Sequence, residues 1–284
     1  MSSRTFPTVA IRPRGWLRTI VVLAAGIAMT LPLVWMVSVS FRQPGQALPR
    51  ELEWIPDPIV WRNYREVFDI VPFARFAANS LFVVALAVPI TVLVSSWAGF
   101  ALSQLAAKWR LRFTAFSFAV MMIPVTAYWL TRFILFKELG LIDNRLALVA
   151  PALAGASPLF MLLFLWTFVR VPSEIYESAR LDGASAVRTW AGVAMPLAGP
   201  TIVAVGVLAF VHFWRDFIDP LLFIQSTSKM TLPLGLRALQ QLDSTNWPIL
   251  LAGCVMVSAP IVLVFLAVQR AFLQQNRGSG FLGR

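Results

Sequence analysis

The chain has 284 residues, of which 58% are apolar and only 13% are charged, whereas ordinary soluble domains carry about 25% charged residues. With a mean hydropathy of +0.75 and a single cysteine, it is neither a soluble globule, nor a disordered chain, nor a disulfide-stapled domain. The net charge of +11 is typical of membrane proteins that keep Lys and Arg on cytoplasmic segments, and without a basic run interleaved with aromatic residues no nucleic-acid partner is expected.

Six apolar runs follow along the chain, each long enough to cross about 30 Å of hydrocarbon as a helix. They predict an all-α integral membrane protein with six transmembrane helices, at residues 16–41, 79–105, 113–136, 146–169, 197–223 and 247–268. The first run is too long for a signal peptide and lacks a cleavage site, so it is interpreted as an uncleaved span. Residues 16–270 are then one six-span domain between two tails, at residues 1–15 and 271–284.

The positive charges predict the orientation of these spans. With the N-terminus inside, thirteen Lys and Arg residues fall on the inner side and eleven on the outer side, where the loops are longer and hold most of the acids. The clearest local signal is the short loop at residues 108–112, which carries three basic side chains. Because basic loops tend to stay in the cytoplasm, both termini are predicted to be cytoplasmic.

One inner connection, residues 170–196, is longer than the others and has the pattern of two short helices. Ser173 is expected to cap a first helix that has acidic residues in its first turn and runs to about Leu181. Gly183 then predicts a helix end, because glycine adopts the left-handed conformation without a steric penalty. A second short helix is expected from about Ser185. Small side chains at the bend favour docking to another protein, since the segment lacks the broad apolar face of a membrane-surface helix.

This segment resembles the EAA loop of ABC importer permeases, a motif of Glu-Ala-Ala, three residues, Gly, nine residues and Ile-x-Leu-Pro. The chain has Glu177-Ser178-Ala179, then Gly183, then Val193-Ala194-Met195-Pro196 at that spacing. The resemblance implies a set of residues that couple the chain to an ATPase, namely Glu174, Glu177, Ser178, Ala179, Arg180, Asp182, Gly183, Ala184 and Pro196.

Shorter matches beyond residue 79 are similar to the second permease of maltose-type carbohydrate-uptake systems. They include Asn79-Ser80-Leu81 at the start of the second span, Trp214-Arg215-Asp216-Phe217 in the fifth, and residues 231–236 outside. The resemblance implies the type I ABC importer permease fold with a cytoplasmic coupling helix. It also implies import of a mono-, di- or oligosaccharide, or a sugar-phosphate-like solute, across the inner membrane of a bacterium or archaeon.

The same resemblance implies the partners of the chain: a second homologous permease, two ATP-binding cassette subunits, an extracytoplasmic solute-binding protein and the surrounding lipids. The chain contains no G-x-x-x-x-G-K-[ST] phosphate loop, so ATP and Mg²⁺ are expected on the partner ATPase. No cofactor, metal or catalytic residue is expected in the chain itself. Residues 226–246 are expected to contact the binding protein. Residues 277–284 either reach the ATPase subunits or form the frayed end of the last helix.

The competing class is a secondary transporter or channel driven by an ion gradient, which would place ionisable groups deep in the bilayer. At 1.5 Å per residue, Arg132 and Arg215 fall at the outer interface and are predicted to extend to the outer surface, which leaves no Asp, Glu, Lys or Arg near mid-membrane. A membrane hydrolase is excluded because neither G-x-S-x-G nor H-E-x-x-H occurs. The residues predicted to face a translocation path are Asn79, Tyr128, His212, Trp214 and Asp216, although a packing role is the preferred interpretation of His212.

Overall fold

The computed structural model describes residues 14–45, 54–242 and 246–278, and every regular element within these ranges is helical. The α-helices are α1 (Arg14–Ser40), α2 (Arg62–Ile70), α3 (Phe73–Ser103), α4 (Ala107–Met121), α5 (Trp129–Glu138), α6 (Leu146–Val149), α7 (Pro158–Val169), α8 (Ser173–Leu181), α9 (Ala186–Thr189), α10 (Met195–Leu197), α11 (Gly199–Trp214), α12 (Ile218–Phe223), α13 (Leu232–Leu242) and α14 (Trp247–Gly278). Short 3₁₀ turns and one π-helical turn connect them, at Val125–Tyr128, Ala150–Ala154, Thr227–Lys229 and Trp190–Ala194. The predicted all-α class is confirmed, whereas residues 1–13 and 279–284 of the two predicted tails lie outside the described residues.

Four helical segments are long and apolar enough to cross a membrane, namely Arg18–Ser40, Phe73–Ser103, Leu146–Val169 and Trp247–Gln269. Two pairs of helices qualify only if each pair is one broken span, Ala107–Met121 with Val125–Glu138 and Ala186–Leu197 with Gly199–Trp214. Each pair is bent by 85°. The described residues therefore hold four to six candidate spans, and the third and fifth predicted spans are bent rather than straight.

Both bends lie beside a proline. The first follows Ile123, whose amide still donates to the carbonyl of Val120 at 3.1 Å, and the chain resumes after Pro124 as a 3₁₀ turn. Proline has no amide hydrogen, and it disfavours the α conformation in the residue before it, so the helical hydrogen bonds stop there. The second bend falls at Ala198, two residues before Pro200.

The fourth span contains a left-handed turn. Gly155 has a φ of 76° and Ala156 a φ of 56°, a conformation that costs a non-glycine residue on the order of 1–2 kcal/mol. The hydroxyl of Ser95 in α3 donates to the carbonyl of Gly155 at 3.3 Å. After the turn, Ser157 caps α7, and its hydroxyl accepts a hydrogen bond from the amide of Leu159. The turn therefore changes the direction of the chain, so that α7 packs beside α3.

The chain divides into two compact units, Met1–Val67 with Asp243–Val255 and Phe68–Leu242 with Met256–Arg284. In the first unit, Asn63 of α2 holds the end of α1, because its side-chain amide donates to the carbonyls of Ser40 and Arg42 at 2.8 and 2.7 Å. Phe41 packs edge-on against Trp61 with ring centroids 4.6 Å apart. The body of α1 exposes apolar side chains, as expected of a helix surrounded by lipid.

The core of the second unit lies where α3 packs against α7. Phe160, Phe164 and Phe168 recur every fourth residue on one face of α7 and are buried. Opposite them, a Cβ atom on Gly99 of α3 would lie 2.7 Å from the Cβ of Phe164 and 2.9 Å from the amide nitrogen of Leu165. Only glycine permits so close an approach of the two helices.

Candidate functional site

The segment that resembles the EAA loop begins with α8. Pro172 occupies the position before the helix with a ψ of 136°, and no side chain caps the first turn. The prediction that Ser173 caps this helix is therefore wrong, because Ser173 is itself the first helical residue. Glu174 lies in the first turn, where a carboxylate interacts favourably with the positive end of the helix dipole.

The predicted end of α8 is confirmed. The helix runs to Leu181, and Gly183 follows in the left-handed conformation with a φ of 78°. The amide of Gly183 donates to the carbonyl of Arg180 at 3.0 Å, and the amide of Ala184 donates to the carbonyl of Ala179 at 2.9 Å. These two bonds form a Schellman motif, which satisfies carbonyls that the last helical turn would otherwise leave without partners.

The predicted second helix is also present and continues into a longer rod. The hydroxyl of Ser185 accepts a hydrogen bond from the amide of Arg188 and so caps α9. Helix α9, the π-helical turn and α10 follow without interruption, and the rod Ala186–Leu197 meets α11 at 85°. A π-helical turn is rare and is often found at functional sites.

Most residues of the predicted coupling set are accessible. The exposed ones are Glu174, Glu177, Ser178, Arg180, Asp182, Gly183 and Pro196, and the half-buried ones are Ala179 and Ala184. Beside them, Leu181 is 89% exposed and Val187 is 52% exposed. The bend therefore presents large apolar side chains between charged ones, an arrangement suited to contact with another protein.

The attachment of this segment to the other helices was not predicted from the sequence. Tyr176 is the buried residue of α8, and its hydroxyl donates to the carbonyl of Phe168 at the end of α7 at 3.3 Å. The Nη2 of Arg180 donates to the Oε1 of Gln104, just beyond α3, at 2.5 Å. The one feature of the sequence that could have indicated this role is that Tyr176 is the only aromatic residue of α8.

The five predicted path residues fall into two groups. Tyr128 and His212 are exposed and Asp216 is half-buried, and the ring of His212 lies 6.5 Å from that of Phe160. Trp214 is buried, and its indole nitrogen donates to the carbonyl of Val257 at 2.9 Å. Tyr128, His212 and Asp216 are therefore at least partly accessible, whereas Trp214 packs inside the second unit.

Asn79 belongs with the packed group. Its side-chain nitrogen donates to the carbonyls of Ser228 and Met230 at 2.9 and 2.8 Å, and its side-chain oxygen accepts from Arg145 at 2.8 Å. Every hydrogen-bonding atom of this buried amide therefore has a protein partner. Asn79 holds the segment after α12 against the start of α3.

The same segment is held a second time by Asp143, which has a left-handed φ of 57°. Its carboxylate accepts from the amides of Gln225 and Ser226 at 3.0 and 2.8 Å, from the hydroxyl of Ser226 at 2.5 Å, and from the ammonium group of Lys229 at 2.8 Å. The hydrogen bond from Lys229, reinforced by those from Ser226, holds the pKa of Asp143 well below its usual range. We call this group, Asp143 with residues 225–229, the acidic clasp.

Arg132 does not extend to the outer surface as predicted. Its guanidinium pairs with the carboxylate of Asp219, and the two side chains are only 20% and 13% exposed. The positive charge lies over the rings of Phe136 and Phe223, 5.6 and 5.2 Å from their centroids. The prediction was wrong because a carboxylate on α12 was close enough to neutralise this charge.

No three His, Cys, Asp or Glu side chains are grouped to hold a metal ion in the described part of the chain.

Over residues 8–278, the chain matches the family described as "Binding-protein-dependent transport system inner membrane component". It is 29% identical to the arabinooligosaccharides transport system permease protein AraQ of Halalkalibacterium halodurans, over 96% of each chain. It is 28% identical to the trehalose/maltose transport system permease protein MalG of Thermococcus litoralis, over 89% of this chain and 93% of that one. The fold is similar to a chain of a bacterial ABC transporter involved in the import of alginate, with a TM-score of 0.74 and 21% identity over 95% of this chain and all of that one.

Proposed function

The chain belongs to the family of binding-protein-dependent transport system inner membrane components, and from this membership we propose that it carries a carbohydrate across a bacterial or archaeal cytoplasmic membrane as one subunit of an ATP-driven importer. Members of this family are non-catalytic membrane subunits, so the chain is not itself an enzyme. The observation that carries the sugar assignment is that AraQ and MalG, two sugar permeases by name, align with nearly its whole length.

Residues 170–196 are the contact with the ATPase in this proposal. The support is the exposure of Glu177 and Arg180 on either side of small residues, together with the nearly complete exposure of Leu181. Burying such an apolar side chain in a partner's cleft is favourable by about 1.5–3 kcal/mol. Because α8 ends at Leu181 and the chain turns at the left-handed Gly183, the bend between α8 and α9 can project from the rest of the unit.

The remaining partners and the topology follow from the same proposal. A second homologous permease and two ATP-binding cassette subunits complete the complex, and ATP and Mg²⁺ bind to the latter. The family description supports a solute-binding protein as an outer partner. Residues 170–196 and both tails, at residues 1–15 and 271–284, then lie in the cytoplasm, and the six-span domain is residues 16–270.

The translocation path runs along the exposed side of α11 in this proposal. His212 lies in the last turn of α11, and Asp216 follows two residues after the end of this helix at Trp214. Tyr128 offers an aromatic surface for stacking on a sugar ring. Asn79 and Trp214 support the wall of this path from inside the unit. An exposed histidine in an apolar helix is better explained by a path that holds water than by contact with lipid.

The proposal is tested by purifying the chain with the products of its neighbouring reading frames and reconstituting them in lipid vesicles. We expect a co-purifying ATPase and binding protein, ATP-dependent uptake of the labelled sugar identified by mass spectrometry on the binding protein, and no uptake with a non-hydrolysable nucleotide. If the purified chain alone transports solute under an ion gradient, the alternative class, a secondary transporter or channel, is correct.

A further inference from the structure

We propose that Tyr176 is a positioning residue that fastens α8 to the packed ends of α3 and α7, so that a movement of α8 displaces these helices and α11 together. This inference rests on the proposed function, in which an ATPase subunit moves α8. It concerns a side chain that faces away from the ATPase and that the predicted coupling set does not contain.

The hydrogen bond of Tyr176 adds a second donor to a backbone carbonyl at the end of α7. In a continuous helix, the carbonyl of Phe168 would accept from the amide four residues later, but that residue is Pro172, which has no amide hydrogen. The amide of Val171 donates to this carbonyl at 3.3 Å, and the hydroxyl of Tyr176 donates to it as well, also at 3.3 Å. The end of α7 is therefore completed by a side chain of α8 rather than by backbone alone.

The ring of Tyr176 is inserted among aromatic side chains from two helices. It is 6% exposed, and its edge meets the ring of Phe100 in α3 with centroids 5.8 Å apart and planes at 72°. Phe100 in turn meets Phe168 of α7 edge-on at 5.7 Å. Edge-to-face contacts at these distances are favourable and orient the rings.

The same cluster reaches the entrance of α11. Buried with Tyr176, Phe100 and Phe168 are residues of the rod Ala186–Leu197 and of the following helix, namely Ala194, Ala198, Val205 and Ala209. Gly99 brings α3 within a few ångströms of the backbone of α7 at the same level. Close-packed interiors are hardly compressible, so these four helices move as a body when one of them is displaced.

A second, weaker connection lies on the same face of α8. Arg180 follows Tyr176 by four residues and bonds to Gln104, whose amide donates to the hydroxyl of Ser103 at 2.9 Å. Arg180 is exposed, and exposed polar pairs contribute little to stability. The rigid connection therefore depends mainly on Tyr176.

The test uses the complete complex of both permeases, the ATPase subunits and the binding protein in lipid vesicles. The variants are Tyr176→Ala, Tyr176→Phe and, as a control for removing an aromatic ring at an exposed position, Phe265→Ala. For Tyr176→Ala we expect the stimulation of ATP hydrolysis by the binding protein, expressed relative to the basal rate of the same variant, to fall by about fivefold or more, the range of ordinary coupling free energies. Tyr176→Phe, which keeps the ring, and Phe265→Ala retain most of the stimulation.

A distance measurement separates coupling from simple stability. Spin labels are placed on α8 and α3 through Ser173→Cys and Leu93→Cys, in a background in which Cys254 is replaced by alanine. Trapping the ATPase with ATP and vanadate leaves this distance unchanged in the wild type, because the two helices move together, and changes it in Tyr176→Ala. If Tyr176→Ala assembles poorly, Tyr176→Leu, which keeps apolar volume without the flat ring, gives the same comparison.

Wild-type stimulation and an unchanged distance in Tyr176→Ala overturn the inference. A loss in Tyr176→Phe as large as in Tyr176→Ala supports it, and assigns the connection to the hydroxyl and its bond to Phe168 rather than to the ring. Failure of the proposed function itself has a different signature. In that case the wild-type chain recovers no ATPase subunit and gives no nucleotide-dependent hydrolysis at all.

Discussion

Arg132 and Asp219 form a two-bond ion pair between α5 and α12, with Nη1 3.0 Å from Oδ1 and Nη2 2.6 Å from Oδ2. The two residues are 87 positions apart, and the guanidinium is enclosed by two phenylalanine rings. The carboxylate of Asp219 neutralises the charge of Arg132, so this pair joins α5 to α12.

Removing one partner of this pair is expected to be costly. Asp219→Asn leaves the largely buried charge of Arg132 without a counter-ion, and we expect the free energy of unfolding to fall by about 1–3 kcal/mol. Thermal unfolding of the purified chain in detergent measures the loss. The pair of Arg62 and Glu66, in which the arginine side chain is 78% exposed, provides the control. Glu66→Gln leaves this arginine in water and is expected to change stability by less than about 1 kcal/mol.

Replacing both partners of the buried pair is expected to cost less than replacing one. In Arg132→Met combined with Asp219→Leu, no charge is left unpaired, and much of the stability returns. A double variant that is no more stable than Asp219→Asn would contradict the coupling of the two side chains.

The turn at Gly183 is expected to tolerate no Cβ without strain. There is open space around both Gly183 and Gly192, but only Gly183 has a positive φ. Gly183→Val is therefore expected to cost on the order of 1–2 kcal/mol through backbone strain alone, and to reduce the ATPase activity that is coupled to transport. Gly183→Ala and Gly192→Ala form the matched comparison, and only Gly183→Ala is expected to reduce the ATPase activity that is coupled to transport. Equal, full coupling in both would mean that the left-handed turn is not needed.

The contact between α3 and α7 predicts a steric effect at Gly99. Two of the three atoms nearest to an added Cβ are backbone atoms, the amide nitrogen of Leu165 and the carbonyl oxygen of Met161, and these cannot move without shifting α7. We expect Gly99→Ala to lower the free energy of unfolding by about 1–3 kcal/mol. Gly206→Ala in α11, where nothing lies within 4 Å of the new atom, controls for the substitution itself. Equal unfolding temperatures for the two variants would argue against the close approach.

The acidic clasp is expected to open at low pH. Because the pKa of Asp143 in the folded chain lies below its ordinary value of 3.8, its contribution to stability is complete above that value and is lost as the pH falls through the folded pKa. Hydrogen exchange at the amides of Gln225 and Ser226, corrected for the intrinsic effect of pH, is therefore expected to accelerate below about pH 3.8.

Two variants check this assignment. Asp143→Asn is expected to give fast exchange at these amides at neutral pH as well, because the amide side chain cannot accept the same set of hydrogen bonds or attract Lys229. Asp69→Asn, at an exposed carboxylate, is expected to leave the exchange unchanged. Protection that persists in Asp143→Asn would show that other contacts hold the segment.

The features predicted correctly from the sequence are those determined by neighbouring residues. The end of α8 at Leu181 and the left-handed Gly183 depend on a few consecutive positions, and so does the second helix after Ser185. The cap at Ser173 was wrong because Pro172 already begins the turn with a suitable backbone conformation. The third predicted span crosses Pro124, where a proline is expected to kink a helix, and the chain does bend there.

The features that could not be predicted join residues that are distant in the sequence. Asp143 meets Lys229 across 86 positions, and Arg132 meets Asp219 across 87. A single sequence gives the charges of such residues but not their partners, so Arg132 was assigned to the outer surface on depth alone. Tyr176 was overlooked although its acceptor, Phe168, is only eight residues earlier, because the sequence does not show that α8 folds back against the end of α7.

In the proposed function, the right-angled connection at Ala198 affects how a displacement of α8 would reach α11. The rod Ala186–Leu197 joins that helix at 85°, and its twelve residues extend about 18 Å at 1.5 Å per residue. A collinear joint would only push the helix along its own axis. Because the rod lies at nearly a right angle to α11, a sideways shift of its Ala186 end would instead tilt α11 over its whole length.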